Sequence, residues 1–302
     1  MKIVKEIFGF RSEHSLAVTL GKFDGIHRGH QELIRKTCED AGRRRQEGTD
    51  CRSCVITFDM SPSMILSKKE RRRMLEEMGV DLLIECPFSP KLIETSAENF
   101  ITEILADRLK TVSVFTGEDF RFGYRRQGDA ALLRLMGEQC GFTSHVVQEV
   151  EESGNKISSS DIRDALLDGN MERVGRLLGF PFFVRGQIIH GRQIGRTIGV
   201  PTANMIADKS KLLPPNGVYY VRSKIGGVIK NGITDIGTKP TVGAQFIGIE
   251  TYFFDFDEDL YGEELEIELL HFSRPERKFQ SLEELKEQIE KDRRGGAAYF
   301  GI

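Results

Sequence analysis

Leu16-Ala17-Val18-Thr19-Leu20-Gly21-Lys22-Phe23-Asp24-Gly25-Ile26-His27-Arg28-Gly29-His30 decides the fold of the first half of this chain. Leu16 to Leu20 is an apolar run too short for a helix and reads as a buried strand. A glycine-punctuated loop follows. Beyond it, Leu33, Ile34, Thr37, Cys38 and Ala41 fall on one face of a helical repeat. A strand that opens through glycines onto a helix start offers backbone N–H groups and the positive end of the helix dipole, which attract anions. Gly29 permits close backbone approach. His27 and His30 are spaced to share one face of the first helical turn. There they can donate hydrogen bonds to a phosphate whose charge grows in a transition state. Gly21, Phe23, Asp24, Gly25 and Gly29 are the candidate nucleotide-binding positions around them. Two surface histidines at a helix start is the plainer alternative, and the surrounding strand, glycines and helix weigh against it.

Outward from this stretch, strand-like runs recur at 55–58, 80–84 and 112–115, with helical patterns between them. Such alternation predicts a parallel sheet with helices on both faces, a Rossmann-like α/β domain whose ligands bind beyond the C-terminal strand ends. Glu118-Asp119-Phe120-Arg121-Phe122 follows the last of these runs and offers an acid, a base and stacking aromatics, so Asp119 and Arg121 join the candidates. Ser158-Ser159-Ser160 with Arg163 one turn on supplies hydroxyls, helix-start N–H groups and a guanidinium. Ser159, Ser160 and Arg163 thus form a candidate phosphate clamp. Helices are expected at 161–167 and 171–178, closing the first domain near residue 181.

From Phe182 the rhythm changes to glycine-punctuated strands at 182–189, 218–221, 228–233, 247–256 and 265–270. Strands in succession predict a small antiparallel β-barrel. A capping box, Ser281-x-x-Glu284, opens a C-terminal helix. The expected domains are 1–181 and 182–302. In the second, a glycine-rich stretch with Gly191, Gly195 and Arg196 can cradle phosphates. Thr202 and Asn204, two apart in an extended segment, point the same way and offer hard oxygen donors suited to Mg²⁺. Asn204 satisfying local backbone is the plainer reading. Glu250 stands in an apolar strand, where a charged side chain needs a reason, and an outward-facing edge charge is the plainer one. The acids at 255–259 lack the glycine and glutamate spacing of a calcium loop and read as a solvated turn.

The bulk numbers set limits. A chain of 302 residues suits two domains. A net charge of -3 argues against a dedicated nucleic-acid binder. No window approaches the roughly 18 apolar residues of a membrane span, and the N-terminus carries no signal-peptide pattern. Five cysteines, an odd number, suit a cytoplasmic protein with free thiols. Cys51-x-x-Cys54 lacks a second half at zinc-site spacing, so a core role is expected over a metal or redox one. The runs Arg43–Arg45 and Arg71–Arg73 read as solvated helix faces. Self-association is left open.

Together these residues resemble the bifunctional riboflavin kinase/FAD synthetase family. The first half is similar to its adenylyltransferase domain through Leu20 to His30, Gly117 to Gly123, Ile157 to Arg163 and Leu177-Leu178-Gly179-Phe180-Pro181. The second is similar to riboflavin kinases through Gly199-Val200-Pro201-Thr202-Ala203-Asn204, Asn216 to Tyr219, Ile236 to Thr241, Asp255 to Gly262 and Arg274 to Phe279. The resemblance implies two ATP sites: riboflavin is phosphorylated to FMN, and FMN is adenylylated to FAD. It implies that His27 and His30 bind the ATP phosphates, that Ser159, Ser160 and Arg163 hold ATP, that Asp119 lies near the nucleotide, and that Glu250 is the kinase base. One stretch departs from the family. Where it carries T-F-x-P-H-P, this chain has Thr57-Phe58-Asp59-Met60-Ser61-Pro62. The readings to separate are therefore an enzyme with both activities, one with an active kinase only, and a non-catalytic flavin-binding regulator.

Overall fold

The structure, a computed structural model, describes residues 1–59, 63–190, 201–241 and 244–302. Met60, Ser61 and Pro62 of the departing stretch lie outside the described residues, as do Gly191, Gly195 and Arg196. The chain divides into two compact units, Met1–Ser158 and Ser159–Ile302.

The first unit holds strands β1 (Lys2–Val4), β2 (Ser15–Gly21), β3 (Cys51–Asp59), β4 (Leu82–Pro87), β5 (Thr111–Gly117) and β6 (Thr143–Val147). They form one sheet in the order β1-β4-β3-β2-β5-β6, with every pairing parallel. Its helices are α1 (Arg28–Gln46), α2 (Lys68–Glu77), α3 (Pro90–Glu94), α4 (Ala97–Asn99) running into a π-helical stretch Phe100–Arg108, and α5 (Ala130–Cys140). A small hairpin, β7 (Glu151–Glu152) with β8 (Asn155–Lys156), closes the unit. The expected α/β sheet is thus present. β1, β6 and the hairpin were not read from sequence, being short and polar or only weakly apolar.

Strand alternation explains how this sheet is covered. Leu16, Val18, Leu20, Cys54 and Ile56 pack with Ile101, Ile104, Leu105 and Leu133 in one core. Ala17 and Cys51 pack with Ala41 of α1 in another. Successive strand residues face opposite sides, so helices on both faces follow directly. The same parity separates Cys51 from Cys54. Three apart on one strand, they point to opposite faces of the sheet and enter different cores. The C-x-x-C is therefore packing, and all five cysteines are free. Because β3 and β5 flank β2 on either side, the chain reverses its winding around β2. A crevice opens beyond the C-terminal end of such a strand, and that is where Gly21–His30 lies.

The second unit begins with α6 (Ser159–Leu167) and α7 (Met171–Leu178). Both were expected to close the first half, yet they pack with the second unit. Glu172 on α7 pairs with His271 Nδ1 at 2.6 Å, and Gly169 lies where a Cβ would meet the Phe272 ring at 3.0 Å. Strands β9 (Phe182–Ile189), β10 (Ala203–Ile206), β11 (Gly217–Ile225), β12 (Val228–Thr241), β13 (Ala244–Phe253) and β14 (Glu264–Pro275) close a barrel in the order β10-β13-β12-β11-β14-β9. All its pairings are antiparallel. Its interior is filled by Phe182, Val184, Ile188, Met205, Tyr219, Val221, Ile236, Ile249, Ile267 and Leu269, all almost wholly buried.

The last helix, α8 (Leu282–Phe300), starts at Ser281, whose hydroxyl accepts from Glu284 N–H at 3.1 Å. The Glu284 carboxylate reaches back to Gln280 N–H rather than to Ser281. Gly295 and Gly296 let α8 lie on the barrel. A Cβ would meet Tyr220 Oη at 2.5 Å and Ile233 Cγ2 at 2.7 Å respectively. Asp292, 7 % exposed, anchors the helix by a two-pronged ion pair with Arg274 of β14 at 2.6 and 2.9 Å.

Candidate active sites

His27 is the N-cap of α1, not a residue of its first turn as the spacing alone suggested. Its Nδ1 accepts from His30 N–H at 3.4 Å. A neutral imidazole accepting at Nδ1 carries its proton on Nε2, so His27 presents an Nε2–H donor. The two rings stack at 3.6 Å between centroids, and Phe23 lies against His30 at 5.1 Å. Burial, with the Lys156 charge second, lowers the His27 pKa from 6.5 to about 4. Burial, with His27 second, lowers that of His30 as well, and its Nδ1 is sealed from solvent without a hydrogen-bond partner. Both imidazoles are neutral near neutral pH, so what they can offer a ligand is a neutral N–H rather than a cation.

The loop that presents them is held in an uncommon shape. Phe23 and Ile26 adopt φ of 47° and 43°, and both are fully buried. Left-handed backbone at a large side chain and at a β-branched one persists only where surrounding bonds over-determine it. Those bonds are present. Thr57 Oγ1 donates to Lys22 O at 3.0 Å, Asp24 Oδ1 accepts from Ile65 N–H at 2.8 Å, and Gln31 Nε2 donates to Ile26 O at 2.8 Å. Gly25, at φ 86°, packs against Ile65. Gly21 packs on Phe23, and a Cβ at Gly29 would touch the His27 ring at 3.3 Å. Gly29 therefore makes room for the histidine, a role its position in H-x-G-H did not disclose. Asp24 is a structural tie of the loop, its carboxylate turned to Ile65.

Asp119 and Arg121 are exposed beyond β5. Asp119 pairs with Lys156 at 2.7 Å, and Lys156 also binds Glu149. Lys156, whose charge is felt at His27, is a candidate cation that sequence reading missed. Only its adjacency to Ile157-Ser158-Ser159 could have drawn notice. Ser159, Ser160 and Arg163 stand at the start of α6, in the second compact unit.

In the second unit Glu250, Asn204 and Asp235 form one row across three strands: Asn204 is opposite Glu250, and Glu250 opposite Asp235. The flanking Ile249 and Thr251 are wholly buried, so Glu250 faces the outside of the barrel. It is no edge charge, since the closed barrel has no edge there. Tyr252 and Phe254 follow at alternate positions. Tyr252 accepts from Arg293 of α8 at 3.1 Å, and Phe254 meets Phe300 of α8 at 6.4 Å. Glu250 thus lies in line with an aromatic wall between β13 and α8.

Thr202 and Asn204 do point the same way. Asn204 Nδ2 donates to Thr202 O at 3.0 Å, with Thr202 Oγ1 at 3.4 Å. The amide nitrogen is committed locally, which leaves the hard carbonyl oxygen beside the threonine hydroxyl, a donor pair that fits Mg²⁺. They line a cleft whose other wall includes Asp257, Glu258, Asp259 and Tyr261. Those acids are exposed, as expected of a solvated turn.

A phosphate-directed loop on a parallel sheet, joined to a barrel with a carboxylate beside hard oxygen donors, defines a nucleotide-using transferase with two sites. Comparison with known proteins agrees. The FAD synthetase family model matches residues 10–161 and the riboflavin kinase family model residues 178–300. The bifunctional riboflavin kinase/FMN adenylyltransferase of Escherichia coli K12 is 35% identical over 315 residues, covering 100% of this chain and 99% of that protein. The Bacillus subtilis protein of the same description is 34% identical, covering 94% and 92%. A crystal structure described as a macrolide-efflux protein from Streptococcus pneumoniae superposes with a TM-score of 0.82 at 32% identity over 96% of each chain. Among the described residues of this chain, no helix is long and apolar enough to cross a membrane. The chain belongs to the bifunctional riboflavin kinase/FMN adenylyltransferase family, whose two activities make FMN from riboflavin and FAD from FMN.

Proposed function

We propose that the two steps are divided between the sites as follows, with 1–181 as the adenylyltransferase domain and 182–302 as the kinase domain. In the first, a phosphate oxygen of FMN attacks the α-phosphorus of ATP and pyrophosphate leaves. The attacking oxygen is already ionised, so no general base is needed. His27 Nε2–H and His30 donate to the phosphate oxygens as charge grows there, aided by the N-terminus of α1. Neutral donors suit this task, because they stabilise the charge without exchanging a proton. Ser159, Ser160 and Arg163 contribute to ATP binding, and Asp119 is a further candidate for the nucleotide.

In the second, Glu250 removes the proton of the riboflavin hydroxyl as its oxygen attacks the γ-phosphorus, and ADP leaves. A neutral alcohol requires this help, unlike a phosphate. Tyr252, Phe254 and α8 form the wall for the flavin ring. Thr202 and Asn204 would hold Mg²⁺, which would offset the phosphate charge. The observation that carries this reading is the alignment of Glu250 with Asn204 and the aromatic wall on one face. A cytoplasmic location is part of the reading, supported by the free thiols.

The test is one incubation of the protein with riboflavin, ATP and Mg²⁺, with flavins separated over time. FMN rising before FAD supports both halves and makes the departure at 57–62 a tolerated variation. FMN alone leaves only the kinase active, and no new flavin leaves a binding protein. Glu250→Gln is expected to abolish FMN formation yet convert supplied FMN to FAD, and His27→Ala to do the reverse. Full riboflavin phosphorylation by Glu250→Gln means that another group is the base.

A further inference from the structure

The run Arg71–Arg73 reads in sequence as a solvated helix face. The structure corrects this: Arg73 is exposed, but Arg71 is 0% exposed, the largest wholly buried side chain among the described residues. A guanidinium is taken fully out of water only where bonds compensate. Arg71 donates from Nη2 to Glu85 Oε1 at 3.3 Å and from Nη1 to Thr57 Oγ1 at 3.3 Å. Arg72 holds the same carboxylate from Nε at 3.0 Å and Nη2 at 2.5 Å. Thr57 in turn donates to the carbonyl of Lys22 at 3.0 Å.

We propose that Thr57, backed by Arg71 and Glu85, is a positioning residue for adenylyl transfer: it fixes the Lys22 carbonyl and with it the loop that presents His27 and His30. This rests on the reading of that loop as the adenylyl-transfer site. The direction of the chain is set by chemistry. A guanidinium has no acceptor, so Thr57 must receive from Arg71. Its one hydroxyl proton is then left for Lys22 O. A donor forced from behind makes a bond of fixed direction and greater strength than a freely rotating hydroxyl.

The bond sits where backbone pairing ends. Gly21 opposite Thr57 is the last rung between β2 and β3. One residue further on, the Thr57 side chain continues the ladder by taking the Lys22 carbonyl. Beyond it the loop runs through Phe23 and Ile26, its two left-handed residues other than glycine. A loop that leaves the sheet into such a conformation needs its first carbonyl held, because an error there carries through to the histidines. Displacements of about 1 Å far from the reacting atoms can cost on the order of 100-fold in rate.

The experiment uses the full chain with Thr57→Val, which keeps the shape and removes the hydroxyl, and Thr57→Ser, which restores it. FAD formation from FMN and ATP is measured with kcat and KM separated, and riboflavin phosphorylation by the same sample serves as internal reference. The expected result is a fall of about 10- to 100-fold in kcat for Thr57→Val, with KM for ATP changed less than about threefold and Thr57→Ser within about threefold of the parent. Hydrogen exchange of the amides at 22–27 is expected to quicken in Thr57→Val and in Arg71→Met, with β5 amides unchanged. Full kcat in Thr57→Val, or a loss in Thr57→Ser as large as in Thr57→Val, overturns the proposal. His27→Ala on the same assay separates the two levels. If it retains FAD formation, the site reading fails. If it abolishes FAD formation while Thr57→Val is unaffected, only the positioning role fails.

Discussion

Acidification is expected to loosen the first unit through His27. The folded protein lowers the pKa of this imidazole from 6.5 to about 4, chiefly by burial and then by Lys156. The unfolded chain therefore binds more protons between those values, so stability rises with pH across that window. The contribution is complete above the unfolded pKa and is lost as pH falls through the folded one. A shift of this size amounts to about 3 kcal/mol, of which about 2 kcal/mol is already gone near pH 5. The residue is 7 % exposed, so solvent screening removes little of it. Two compact units make global melting hard to interpret. The assay is therefore native-state hydrogen exchange of β2 and α1 amides near pH 5 and near pH 8, corrected for intrinsic rates. The comparison variant is His27→Asn, which keeps an N-cap side chain and cannot titrate there. The parent is expected to lose about 2 kcal/mol more protection than the variant on acidification. Equal losses in both would refute the buried, neutral imidazole, since His30 acts in the same direction in each.

Gly29→Ala places a methyl against the His27 ring without lowering helix propensity. FAD formation is expected to fall about tenfold with no loss of thermal stability and normal FMN formation. Arg274→Met removes the charge partner of the buried Asp292 carboxylate, leaving it the Gln288 amide, and is expected to cost the second unit about 3 kcal/mol in denaturant unfolding, partly recovered by adding Asp292→Leu. Cys51 and Cys54 face opposite sides of β3, and burial pushes both thiols up. Purified protein is expected to carry no stoichiometric zinc by metal analysis, and mild oxidation to form no bond between them by peptide mapping.

Much of this protein is written in local pattern. The run Leu16 to Leu20, the glycines after it and the apolar face of α1 announce a strand, a loop and a helix start, because each depends on neighbours a few residues away. The change of rhythm at Phe182 announces the barrel for the same reason, and β9 and α7 fall at 182–189 and 171–178 as read. His27, His30, Thr202 and Asn204 were legible as candidates from residue types beside strand ends and glycines, whereas Glu250, inside β13, was singled out through the family resemblance. What lies between distant segments was not. Thr57 meets Lys22 across two strands, and Arg71 reaches both Thr57 and Glu85 from a helix whose sequence looks solvated. Asn204, Glu250 and Asp235 share a row only through the register of three strands. Lys156 becomes a candidate only where its hairpin meets Asp119. Local sequence thus determined the elements and the chemistry available to each. Pairing register and burial, which depend on residues far apart in the chain, decided which of those groups meet, which are neutral and which arginine is inside.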